Sequence, residues 1–376
     1  MTQKPIVVLD PSSTGHHPQF LRLLFEVAGG GGNCTFYVDE GLVESLSVSE
    51  TGRVQSIQEL GKNPAAQLNN LVRRNKSLNH IFLPRMNTYL QPLLQTSLPG
   101  MRVSGIWFSP QSAAWVHGGG LKKRMKGLLE ILRMNRMVRQ CGLEKLFILN
   151  DPATAAFLTR QTRIPLGVES LADPVPELPS PSAPRAELRR DLGISEEKTV
   201  FGLFGALREG KGMESAITAF SDFQPEARLL IAGEALPNFK PRLEKLLDSH
   251  SGMVSEGRLM PRVEKLTDQQ LADYLEAVDY ILLPYENVWG SSGFLGHGAR
   301  SGKPVLAARQ GLLGALVKRY RLGHVFDPGN PASWRAVLME SMDGLPSQDP
   351  DGVKAYLHDN SEESFQDTLT RYFLNP

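Results

Sequence analysis

Short apolar runs alternate along the chain with segments whose apolar residues recur at helical spacing. Runs at 5–9, 34–38, 80–83, 103–108 and 146–149 predict strands, and helical stretches at 18–28, 64–76, 121–140 and 151–161 lie between or after them. Such alternation predicts βαβ units on a parallel sheet, and residues 1–163 read as one α/β domain. Residues 164–184 then hold Pro165, Pro174, Pro176, Pro179, Pro181 and Pro184, a density that no helix or central strand tolerates, so a linker is expected there. The alternation restarts with a charged helix at 185–192 and strands at 199–204, 228–232, 280–283 and 304–307. Helices are expected at 213–223, 238–249, 268–278, 293–301, 314–320 and from about 331. This predicts a second doubly wound domain over 185–345, and a C-terminal helical segment, 346–376, packing back on the first domain. Open parallel sheets bind ligands beyond the carboxyl ends of their strands, and two such halves imply a cleft between them.

A length of 376 residues fits about two to three domains. Lys plus Arg is 41 and Asp plus Glu is 40, leaving +1, with 41% apolar and 22% charged residues. That is ordinary globular composition, and its neutrality argues against a chain built to hold nucleic acid by counterion release. Cys34 and Cys141 are far apart and lack metal-ligand spacing, so neither a disulfide framework nor a zinc site is expected, and the cytosol is the default compartment. A strand-like run from Ile6 leaves no room for an export signal, and no apolar run reaches the roughly eighteen residues of a membrane span.

Two segments carry candidate chemistry. Residues 204–212, Phe-Gly-Ala-Leu-Arg-Glu-Gly-Lys-Gly, join a strand to a helix; Gly205 and its neighbours let amides approach an anion, while Arg208 and Lys211 add positive charge. The run 205–211 also satisfies the first positions of a P-loop, but Gly212 stands where Ser or Thr would bind magnesium, and no later strand ends in a suitable Asp. A tight turn with solvated charges is the plainer reading. The second segment, 283–293, ends in Gly290, Ser291, Ser292 and Gly293 at a helix start, where consecutive N–H groups and two hydroxyls form an oxyanion cradle. Ser291 or Ser292 also fits a simple N-cap. Together the two loops favour a diphosphate held from two sides.

With these segments the chain resembles the retaining nucleotide-sugar glycosyltransferases of glycosyltransferase family 4, over 185–335 above all. The resemblance implies the GT-B fold, two Rossmann-like doubly wound domains facing across a cleft. It puts Arg208 and Lys211 on the donor diphosphate and makes 274–284 the strand leading to the donor loop. Gly302-Lys303-Pro304-Val305 and 326–331 are similar to the segments that follow, and 164–168 and 185–193 to the hinge and lead-in helix. The family's two carboxylates across the donor loop and helix are replaced by Trp289 and His297. Gly290–Gly293 is similar to the Gly-Ser-Ser-Gly loop of some members, which keeps donor binding through amides. His297 can hydrogen-bond a ribose hydroxyl, whereas Trp289 cannot replace a carboxylate. Glu286 is either a sugar contact or a solvated loop residue.

In the first half, Gly15 and His16 resemble the family's glycine-rich loop after the first strand. A His there can orient an acceptor hydroxyl or steady the leaving phosphate, and His16 and His17 fit equally a helix cap. Where many relatives place a His after 106–108, this chain has Ser109 and Pro110. The stretch 29–32 follows a helix and reads as a connector rather than a dinucleotide fingerprint.

Residues 121–140 hold Lys122, Lys123, Arg124, Lys126, Arg133, Arg136 and Arg139 against Glu130, so 7 − 1 gives a local +6. Leu121, Met125, Leu128, Leu132 and Met137 recur at near-helical spacing. This predicts either contact with an anionic membrane surface or charged acceptor, or a core-packed helix with a solvated outer face.

The expectation is a retaining, metal-independent hexosyltransferase without cofactor. It would move a sugar from a nucleotide-diphosphate donor to a glycan or lipid-linked acceptor, in the cytoplasm and peripheral to the inner membrane face. A catalytically impaired binding protein and a P-loop nucleotidase are the rivals.

Overall fold

The computed structural model describes residues 5–12, 17–29, 34–46, 53–222, 226–286, 289–344 and 348–374. The candidates Gly15 and His16, the side chain of His17 and most of the 29–32 connector lie outside them. The chain forms two compact units, Met1–Pro174 with Asn360–Pro376, and Val175–Asp359.

The first unit is built on β1 (Ile6–Asp10), β2 (Cys34–Val38), β3 (Arg53–Ser56), β4 (His80–Leu83), β5 (Arg102–Trp107), β6 (Leu143–Leu149) and β7 (Val168–Leu171). They form one seven-stranded sheet in the order β3-β2-β1-β4-β5-β6-β7, and every pairing is parallel. Central strands such as β1 and β4 are buried along almost their whole length because helices cover both faces, which is why they read as unbroken apolar runs.

The second unit carries β8 (Thr199–Phe204), β9 (Ala227–Ala232), β10 (Leu259–Arg262), β11 (Tyr280–Leu283), β12 (Val305–Ala308) and β13 (Gly323–Phe326). Its six strands run β10-β9-β8-β11-β12-β13, again all parallel. In both sheets the order reverses at the first strand of the unit, so two loops diverge there at the carboxyl edge, the position where doubly wound folds bind ligands.

The structure differs from the expected linker. Val168–Leu171 is a proline-free window between Pro165 and Pro174, and it pairs with β6 (Leu146 opposite Val168), burying Val168 and Leu171. The boundary between units falls after Pro174. The C-terminal segment also divides. The helix Pro350–Asp359 packs in the second unit, where Tyr356 meets the Tyr320 ring edge-on at 5.3 Å. The helix Glu362–Leu374 packs in the first, adding Phe365, Leu369, Tyr372 and Phe373 to a core with Phe20, Phe82 and Phe147.

The helix Leu121–Cys141 has two apolar faces. Ile131, Met134, Met137 and Cys141 are buried, together with Glu130, whose carboxylate accepts from Trp107 Nε1 (2.9 Å) and from the Gln111 (3.1 Å) and Ser112 (2.9 Å) amides. Burial nevertheless holds the Glu130 pKa above the usual carboxylate range. Of the stripe read from the sequence only Met137 joins the core; Leu121 (78%), Met125 (51%), Leu128 (42%) and Leu132 (57%) are exposed.

Candidate functional site

In the second unit β8 and β11 are neighbours, with Tyr280 opposite Phe201 and Ile281 opposite Gly202. The loop 205–212 after β8 and the loop 284–292 after β11 therefore leave the same edge side by side. The Glu286 amide donates to the Gly210 carbonyl at 3.0 Å, joining them. Two glycines make this approach feasible. Gly205 has φ +93°, and a Cβ there would lie 2.5 Å from the Phe294 ring; Gly212 has φ +72°, and its Cβ would lie 2.1 Å from the Pro284 carbonyl oxygen.

Lys211 is the centre of the site. It is only 7% exposed, and its ammonium donates to the Tyr285 hydroxyl (2.5 Å) and to the Phe204 carbonyl (3.4 Å). The same nitrogen sits 4.3 Å from the Tyr285 ring centroid and 5.5 Å from that of Phe294. The Tyr285 oxygen is 3.3 Å from Ser292 Oγ, so a polar chain runs from the first loop to the start of the helix Gly293–Arg300. Ser292 is the N-cap of that helix without a side-chain cap bond. Ser291 Oγ is buried and has no hydrogen-bond partner among the described residues.

A buried cation is costly unless an opposite charge or strong dipoles compensate it. Among the described residues Lys211 makes no ion pair; a neutral phenol, one carbonyl and two ring faces hold it. The helix start at Ser291–Gly293 supplies amides and hydroxyls, with the positive end of the helix dipole beside them. The arrangement suits an oxyanion placed between ammonium and helix start. Arg208 is half-buried, and among the described residues its guanidinium donates only to the adjacent Glu209 carbonyl (3.2 Å), where no carboxylate holds its charge.

The loop 205–212 also lines a cavity of about 150 Å³. It sets Arg208 and Arg242 against Glu209, Glu214 and Glu286, and Arg242 is already paired with Glu214 and Glu209. The three carboxylates disfavour an anion deep in this cavity. Glu286 is exposed here. Trp289 (3%) and His297 (8%) are buried, and the His297 ring packs on Phe294 at 5.6 Å. Tyr285, which connects the loops, is the residue the sequence did not single out.

The P-loop pattern lacks its metal-binding hydroxyl for a physical reason. Any side chain at position 212 meets the Pro284 carbonyl, so Ser or Thr does not fit this turn. Among the described residues no cluster of three or more His, Cys, Asp or Glu is arranged to hold a metal ion.

In the first unit polar groups gather at the carboxyl edge of the sheet. Asp10 is fully buried and accepts from the Ser12 amide (3.0 Å), while Ser12 Oγ accepts from Arg85 Nη1 (2.9 Å). His117 Nε2 lies 2.9 Å from Asp151 Oδ2, whose other oxygen caps the helix Pro152–Gln161 through the Thr154 amide (3.0 Å). The loop after β5 thus carries a paired imidazole, eight residues beyond Ser109, which sequence spacing did not reveal.

The chain is similar to known proteins both in sequence and in fold. Residues 198–343 match the family model described as glycosyl transferases group 1. Among curated proteins the D-inositol 3-phosphate glycosyltransferase of Xylanimonas cellulosilytica is 31% identical over 187 residues, 49% of this chain and 43% of that protein. Its counterpart from Corynebacterium glutamicum is 30% identical over 179 residues, 44% and 41% of the two chains. The chain thus spans less than half the length of the curated relatives it matches. Among solved structures, Anabaena HepE in complex with UDP and glucose superposes with a TM-score of 0.72 at 14% identity, covering 100% of both chains. WaaG, a glycosyltransferase involved in lipopolysaccharide biosynthesis, gives 0.65 at 14% identity over 99% of this chain and 100% of its own. The fold is therefore GT-B, with two Rossmann-like parallel-sheet units.

Proposed function

We propose that this chain is a retaining glycosyltransferase that moves a hexose-type sugar from a nucleotide-diphosphate donor to an acceptor hydroxyl, in the synthesis of a cell-surface glycan or glycolipid. The observation that carries the reading is Lys211, a buried cation without a carboxylate partner among the described residues, tied through Tyr285 to the helix start at Ser292. The family match over 198–343 covers this site, and the curated relatives named as sugar transferases support the reaction class. The HepE complexes with UDP and with UDP-glucose make UDP the first nucleotide to try.

In this reading the bond between the anomeric carbon and the donor phosphate oxygen breaks, and negative charge grows on the departing diphosphate. Lys211, Arg208 and the amides of Gly290, Ser291, Ser292 and Gly293 stabilise that charge, with Gly205 allowing close approach and His297 beside the ribose. The acceptor oxygen bonds to the anomeric carbon on the face that the diphosphate leaves, and the departing phosphate oxygen takes the acceptor proton, which explains retention without the carboxylates replaced by Trp289 and His297. Asp10, Arg85 and the His117–Asp151 pair would orient a glycan or lipid-linked acceptor, with His16 acting on the acceptor hydroxyl or the leaving phosphate and Gly15 contributing to donor binding.

A thermal-shift panel of UDP, GDP, ADP and their sugars, followed by transfer assays, tests this. One nucleotide should raise the midpoint, and Arg208→Ala and Lys211→Met should abolish both shift and transfer; unaltered binding and transfer in both variants would defeat the reading. Trp289 and His297 favour a second reading, a donor-binding protein without turnover, which donor binding with neither hydrolysis nor transfer would support.

A further inference from the structure

We propose that the outer face of the helix Leu121–Cys141, together with Trp115, docks on an anionic phospholipid membrane. Ten large hydrophobic residues are exposed among those described, and six of them, Trp115, Leu121, Met125, Leu128, Leu129 and Leu132, belong to this one surface. Their concentration is not the scattered exposure normal for a globular surface. At 3.6 residues per turn the stripe 121, 125, 128, 132 lies roughly opposite the buried stripe 127, 130, 131, 134, 137, so the helix is anchored by one face and presents the other.

Charge identifies the occupant. Lys122, Lys126 and Arg133 flank the exposed stripe, and Arg136 and Arg139 extend it, whereas the only acid of the helix, Glu130, is turned inward onto Trp107, Gln111 and Ser112. The outer face is therefore apolar and cationic, and the helix itself offers no acid there to neutralise it. A second copy would set cation against cation, whereas an anionic lipid surface offers phosphate to the Lys and Arg heads and hydrocarbon to the Leu and Met side chains. Trp115 is fixed for the same boundary. Its indole N–H donates to the Arg124 carbonyl (2.8 Å) and the Arg124 guanidinium lies 5.4 Å from its ring centroid, yet the side chain stays 42% exposed. Such a helix lies in the plane of the interface, its apolar face sunk about 5–10 Å. No helix among the described residues is long and apolar enough to cross a membrane.

Co-sedimentation with phosphatidylcholine vesicles, with and without about one third phosphatidylglycerol, tests the proposal without any sugar donor, so it stands or falls apart from the sugar-transfer reading. The intact protein should pellet with the anionic vesicles at low salt and bind neutral vesicles, or anionic vesicles at high salt, at least about tenfold more weakly. The pair Leu128→Gln/Leu132→Gln and the triple Lys122→Gln/Lys126→Gln/Arg133→Gln should each weaken binding at least about tenfold while the thermal midpoint stays put. If the first pair disturbs folding, the triple still decides. No pelleting at low salt, or pelleting unchanged by both sets, overturns the proposal. So does concentration-dependent dimerisation without vesicles that the Leu pair abolishes, which would give the face to a second copy.

Discussion

A methyl group on Gly212 would lie 2.1 Å from the carbonyl oxygen of Pro284. The loop after β8 and the loop after β11 are therefore in contact at a point where only hydrogen fits, and the Lys211–Tyr285 pair follows from that approach.

Gly212→Ser should cost about 3 kcal/mol of stability, combining a left-handed backbone with overlap against Pro284. Denaturant titration measures it. If the P-loop reading held, the added hydroxyl would create magnesium-dependent nucleotide hydrolysis; the expected outcome is a weaker protein with none.

Lys211→Met keeps length and apolar bulk between the Tyr285 and Phe294 rings but removes the charge. Donor affinity should fall by about 2–3 kcal/mol, the range of a charge-assisted hydrogen bond, read by calorimetry with the nucleotide that gives the thermal shift. Tyr285→Phe removes only the bridging hydroxyl and should cost about 1 kcal/mol.

His80 gives a pH signature in the first unit. Its ring is buried, with Nε2 2.8 Å from Ser104 Oγ and 3.1 Å from the Tyr372 hydroxyl; burial first, then nearby Arg102, lowers its pKa from 6.5 to about 4. Between these values the unfolded chain binds a proton that the folded chain refuses. Stability should therefore be complete above about pH 6.5 and fall as pH drops toward 4, by about 3 kcal/mol at the limit. Urea midpoints at pH 7 and pH 5 should differ less in His80→Gln than in the parent protein.

Cys34 and Cys141 are buried free thiols whose pKa burial pushes up to about 12. Neither should label with a disulfide reagent in the folded state at pH 8, and both should label in denaturant.

How much of this is legible in the sequence depends on how local the cause is. Central strands such as β8 and β11 show as apolar runs because both faces are covered. The edge strand β3, Arg-Val-Gln-Ser, has one apolar residue and no such run, and β13 is only partly buried. β7 is masked by flanking prolines. The two glycine loops are legible because a strand end, a tight turn and a helix start lie within a dozen residues. Tyr285 is not, since its meaning depends on Lys211, 74 residues away. The His117–Asp151 pair, 34 residues apart, is hidden for the same reason.

The helix Glu362–Leu374 completes the core of the first unit, with Phe365 and Leu369 fully buried, although along the chain the residues of the second unit come before it and after the remainder of that core. During synthesis the ribosome delivers residues 175–359 before this helix, so the continuous unit can close while its predecessor still waits for a missing wall. Order of birth and order of maturation are thus reversed, and the half-built earlier unit is the one a chaperone would have to shield.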